Sequence, residues 1–138
     1  MTSQDRSLNL VRALLWALVA LFGGYSLAYV GGVRVGEALN ECSRQLQIAQ
    51  LPGNFGIALA AALAAVGIRR KRRWGLTMAA AAASATAYIG MLDITYNIRN
   101  DVYAMPWSQV APELFANFVC MLVPAYLFYG ALTAPAWD

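Results

Sequence analysis

Residues 55–91 read FGIALAAALAAVGI-RRKRR-WGLTMAAAAASATAYIGM. Two apolar, alanine-rich runs flank five consecutive cations: Arg69, Arg70, Lys71, Arg72 and Arg73. Apolar runs of this kind read as helices that cross a hydrocarbon layer. A cationic loop between two such helices is held on the cytoplasmic side of a membrane. The small side chains, from Ala58 to Ala65 and from Ala79 to Ala87, let helix backbones approach closely where lipid replaces water. The second and third helices are therefore expected to pack tightly, inside the protein or at a subunit contact.

The rest of the chain has the same character. Of its 138 residues 60% are hydrophobic and only 12% are charged, about half the usual charged share. A soluble domain of this size cannot hide so much apolar surface, and disordered chains are polar and charged. A polytopic membrane protein remains.

The net charge of +3 arises from ten Lys and Arg against seven Asp and Glu, and half of the cations lie in the run at 69–73. No aromatic or glycine interleaving makes that run a nucleic-acid platform, so no nucleic-acid partner is expected. Anionic lipid headgroups are its expected contact. The chain contains no histidine, which removes a His-ligated haem, a His-zinc site and histidine base catalysis. Its two cysteines, Cys42 and Cys120, form no CxxC pair. No cofactor or metal is expected.

Hydrophobic patterning places four spans at about 10–33, 51–68, 75–97 and 113–132 of a single domain. Arg6 and Arg12 stand before or at the start of the first. Ser26 and Ala28 resemble a signal-cleavage site, but the apolar stretch continues past them, so an uncleaved helix is expected. Gly31 and Gly32 end it. Residues 34–51 are amphipathic, with Val35, Ala38, Leu39, Cys42, Leu46 and Ala49 on one stripe and Arg34, Glu37, Glu41, Arg44 and Gln45 off it. Pro52 and Gly53 are expected to stop this segment, and Asn54 to cap the second span. Cys42 reads as a small apolar residue or an intersubunit thiol. Pro112 is expected in the first turn of the fourth helix, beside Glu113, and Pro124 inside that helix.

The predicted architecture is all-α: an integral membrane four-helix bundle with an extracytoplasmic amphipathic helical segment between helices 1 and 2. Both termini and the cationic loop face the cytoplasm, most simply of a bacterial cytoplasmic membrane. The amphipathic segment and the 97–110 connection face outside.

Polar groups concentrate at that outer end. Asp93, Tyr96, Asn97 and Asn100 recur at helical spacing on the third helix, and Glu113 and Asn117 on the fourth. Tyr25 and Tyr29, four apart on the first helix, can line the same place or belong to an aromatic belt. Polar side chains in a membrane are costly unless paired and mark candidate binding residues. Three function classes follow. The leading one is an accessory or structural subunit of a membrane complex, or a homo-oligomer, partnered by lipids and other membrane chains. The second is binding or transport of a lipid, quinone or other small amphipath in an outward-facing pocket. The third is a membrane enzyme using Asp93 and Glu113.

Overall fold

The computed structural model describes residues 3–33 and 41–134. These form helices connected by short turns, with no strand among the described residues. The first helical rod is α1 (Ser3–Leu18), a π-helical turn (Val19–Gly23) and α2 (Gly24–Val30) in direct succession. It ends at Gly31, as the paired glycines predict. Then follow α3 (Glu41–Arg69), α4 (Arg73–Arg99), a single 3-10 turn (Val102–Ala104) and α5 (Trp107–Leu132).

Four stretches are long and apolar enough to cross a membrane: Arg6–Val30, Arg44–Arg69, Arg73–Arg99 and Trp107–Leu132. The shortest has 25 residues. At 1.5 Å per residue that is about 37 Å of helix, more than a hydrocarbon core of ~30 Å requires.

Two expected boundaries are corrected. The second span is not a short helix that starts after Pro52 and Gly53, because α3 runs unbroken through both. Proline removes one backbone hydrogen bond, here to the carbonyl of Ile48, whose residue is exposed. Packing of α3 on α4 on both sides of Pro52 holds the helix together across that loss. Asn54 is consequently no cap. It is a buried residue in mid-helix. The described part of the amphipathic segment, from Glu41, is the first three turns of α3, while residues 34–40 and the side chain of Cys42 lie outside the described set. Pro112 is likewise inside α5, which begins at Trp107 after an extended Pro106. Glu113 therefore stands in the second turn, away from the exposed amides of the first. Pro124 is inside α5 as expected.

The helices form a ring in the order α1, α3, α4, α5, with α1 and α5 closing it. The tightest seam joins α3 and α4 antiparallel. Ala61, Ala64 and Ala65 of α3 and Ala79, Ala82 and Ala83 of α4 are all buried. At one end of the seam two backbones touch. A Cβ placed on Gly75 would lie 2.5 Å from the carbonyl carbon of Gly67 and 2.5 Å from the amide nitrogen of Ile68. Only glycine fits at such an approach. Just beyond it the chain reverses through residues 70–72, where Lys71 takes a left-handed conformation at φ 52°. The alanine faces are thus consumed within one chain. Larger side chains fill the opposite side of the ring, with Val11, Leu15, Leu18, Ile57 and Leu127 fully buried.

Two further contacts set the vertical register. Gly90 of α4 meets the Cβ of Cys120, and Gly130 of α5 meets Val11 of α1. The outer surface is also apolar: Leu21, Leu27, Leu59, Tyr88, Phe115, Phe118 and Leu132 are all exposed.

Replacing Gly75 by alanine is expected to lower the thermal midpoint of the detergent-solubilised protein, with an overpacking penalty of about 1–3 kcal/mol. Gly56→Ala is the control, because nothing lies within 4 Å of a Cβ there. It should leave the midpoint unchanged or raise it slightly, since alanine favours helix over glycine. Equal losses from the two variants would sink the backbone-contact account.

Candidate functional site

The end of the bundle opposite the cationic turn is polar, and the α3–α4 seam places it. Counted from Gly75, Gly90 stands about 22 Å and Asp93 about 27 Å up α4. On α3 the matching residue is Gln50, whose Nε2 donates to Asp93 Oδ1 at 2.7 Å. The Gly90–Cys120 contact puts α5 in antiparallel register, so Asp93 is level with Asn117 and Asn97 with Glu113. Asp93 is half-buried, and another carboxyl, Glu113, lies within electrostatic reach of it. The phenol of Tyr25, half-buried on α2, lies within electrostatic reach of both carboxyls. Its ring centroid is 6.3 Å from that of Tyr29, tilted by 31°. Buried Cys120 also lies within reach of Asp93.

Beneath and beside the carboxyls are buried amides and a hydroxyl. Ser26 is completely buried, and Asn54, Asn97 and Asn117 are at most 5% exposed. Each keeps one atom without a hydrogen-bond partner: Ser26 Oγ, Asn54 Oδ1, Asn97 Nδ2 and Asn117 Oδ1. The other side of Asn117 is satisfied, because its Nδ2 donates to the Tyr103 hydroxyl at 2.8 Å. Hydroxyls elsewhere on α4 behave differently. Thr86, Ser84 and Thr95 each donate to the carbonyl four residues earlier, the usual way a helix satisfies them. Unpartnered buried polar atoms are uncommon in folded proteins, and each costs about 1–3 kcal/mol. Asn117 is level with Asp93, Asn54 stands about one helical turn to one side of that level and Asn97 about one turn to the other.

Of the residues picked from sequence, Asp93, Asn97, Glu113, Asn117 and Tyr25 converge, with Tyr29 beside Tyr25. Tyr96 is half-buried on the same helix. Asn100 is exposed, and its Nδ2 turns back to the carbonyl of Tyr96 at 2.8 Å, closing the end of α4. Arg69, Arg70, Lys71, Arg72 and Arg73 are all exposed, at the far end of the seam. Sequence reading passed over Gln50 and Tyr103 and gave Asn54 another role. Gln50 and Asn54 share a helix face four residues apart, a signal visible only once the helix is carried through Pro52.

Among the described residues no group of three or more His, Cys, Asp or Glu could hold a metal ion. Two carboxyls backed by amides make a hydrogen-bonding wall instead.

The outer half of the first helix completes the geometry. α1 packs on both α3 and α5, whereas α2 contacts α3 only lightly beyond the π turn. A π turn holds one extra residue and commonly marks functional segments. It precedes the part of the rod, α2, that carries Tyr25 and Ser26.

Tyr103→Phe is expected to destabilise the protein by about 1 kcal/mol, because it strands the Asn117 amide. Adding Asn117→Leu should recover most of the loss, and thermal unfolding of the single and double variants measures the coupling. Additive losses would show that the Asn117–Tyr103 bond contributes nothing.

No protein-family model, no curated protein and no solved structure matches this chain.

Proposed function

We propose that the chain is an integral membrane protein whose outer end binds a small amphipathic molecule, for carriage or sensing. The observation that carries this reading is the set of buried, unpartnered atoms on Ser26, Asn54, Asn97 and Asn117 around Asp93 and Glu113. Atoms left unsatisfied in a bundle core suit a visiting partner better than a permanent one. Residues serving only to glue helices together would satisfy one another. A headgroup entering beside α2 would meet these atoms, while its apolar tail stays among exposed Leu27 and its lipid neighbours. In this reading the four helices span the membrane, the apolar outer surface faces lipid, and the cations at 69–73 hold that turn and both termini in the cytoplasm.

A second reading is an accessory subunit or a homo-oligomer. One observation favours it: Phe115, Phe118, Leu122 and Tyr129 form an exposed stripe along α5 at helical spacing. The alanine faces do not add to it, since they are buried within the chain.

Stability measurements separate the two roles of the polar residues. If they are kept for a ligand, Ser26→Ala and Asn54→Leu each raise the melting temperature of the ligand-free protein, by about 1 kcal/mol of relieved desolvation. The same variants then lose small molecules that co-purify with the parent protein, read by native mass spectrometry. If both variants melt lower, the residues are structural and the binding reading fails. Native mass spectra containing foreign chains or a fixed multiple of this one would favour the second reading.

Orientation has its own test. In a Cys42→Ser background, cysteine introduced at Arg70 should resist a membrane-impermeant thiol reagent applied to intact cells, while cysteine at Ser108 should react. The opposite pattern would invert the topology.

A further inference from the structure

We infer that the headgroup taken by this pocket is an ammonium carrying N–H donors. The inference rests on the binding reading above and names its ligand class.

The argument is a count of donors and acceptors at the site. Asp93 on α4 and Glu113 on α5 lie within electrostatic reach of each other, about one helical turn apart in level, and two ionised carboxyls present only acceptors. Asn54 Oδ1 and Asn117 Oδ1 are buried acceptors without a donor, and Ser26 Oγ can accept as well. Among the described residues at this end, one unpartnered buried donor stands against them, Asn97 Nδ2. One protein donor, Gln50 Nε2, already serves Asp93. Among the described residues, the unpartnered buried atoms at this end are thus mostly acceptors, set beside two carboxyls. An anionic headgroup would add acceptors and negative charge to a place with an excess of both. A neutral hydroxyl would supply one donor. An alkylammonium supplies up to three donors and a charge opposite to that of the two carboxyls in one group.

The aromatic groups agree. Tyr25 lies within reach of both carboxyls, and its ring and that of Tyr29 are 6.3 Å apart and tilted. A cation at the carboxyls can lie against the face of such a ring, an arrangement that is attractive for ammonium groups. The depth agrees too. Asp93 lies about 27 Å along α4 from the cytoplasmic-side crossing, near the outer edge of a ~30 Å layer, where an amphipath keeps its headgroup.

The test uses the full chain in phosphatidylcholine nanodiscs at pH 7, with empty nanodiscs subtracted. Three probes share one twelve-carbon tail: dodecylamine, dodecyltrimethylammonium and 1-dodecanol. Equilibrium dialysis should show saturable, one-to-one binding of dodecylamine, about tenfold or more tighter than dodecanol, with dodecyltrimethylammonium between them. A tenfold preference corresponds to about 1.4 kcal/mol, within the range for one charge meeting an opposite charge at a partly solvated site. Asp93→Asn and Glu113→Gln should each erode the preference for dodecylamine over dodecanol. The probe ratio in the parent protein tests the inference even if a variant fails to fold.

Equal or tighter saturable binding of dodecanol would overturn the ammonium inference and leave the pocket reading standing. Absence of saturable binding for all three probes would overturn both. Where dodecylamine binds as expected, displacement by phosphatidylethanolamine doped into the disc identifies a lipid source, and displacement by propylamine in the buffer identifies a soluble amine. Displacement by neither would mean that the probe is held by its tail, against the inference.

Discussion

The close approach of α3 and α4 at Gly67 and Gly75 sets everything else in place. In an apolar environment no hydrophobic force pulls helices together, so contact depends on how near two backbones can come. Here the backbones meet at the glycine pair, and the alanines above keep them close for the length of the seam. That seam fixes the antiparallel register, and the register brings Gln50 to Asp93. A shift by one helical turn would separate donor and acceptor by about 5 Å. The same logic extends across Gly90 and Cys120 to α5, whose Asn117 and Glu113 then face α4.

The bundle consequently has two unlike ends. One is filled mainly by apolar side chains such as Val11, Leu15 and Leu127, and a turn of five cations caps it. The other is lined by amides, carboxyls and phenols whose hydrogen-bonding capacity is partly unused. The first helix changes partners between them. Its α1 part packs between α3 and α5, with Val11 against Gly130, whereas α2, beyond the π turn, brings Tyr25 and Ser26 to the polar end.

Much of this was legible in the residues. The alanine runs around 69–73 were enough for two helices, their antiparallel pairing and their tight seam. The polar spacing of Asp93, Asn97, Glu113 and Asn117 was enough to bring those four to one end. The failures have a common cause. Pro52 and Pro112 were read by rules suited to helices in water, where a lost backbone bond and a ring clash end a helix. Both are carried inside long helices by packing on either side. Ending a helix at Pro52 separated Gln50 from Asn54 and turned a buried amide into a cap. The bond from Asn117 to Tyr103 joins a helix to a turn, and no periodicity in the chain announces it. Which atoms stay unpartnered is a property of three-dimensional neighbours and is invisible to spacing.

The reversal between α3 and α4 carries a last implication. Its left-handed residue is Lys71, not glycine. A side chain in that conformation gives up roughly 1 kcal/mol that glycine would keep. The turn is thus less stable than its geometry permits, and what it retains in exchange is an unbroken row of positive charge. Its conformation is subordinate to its electrostatics. Helical hairpins of this type can therefore be expected to tolerate backbone strain at the bend wherever uninterrupted charge decides which way the hairpin enters the bilayer.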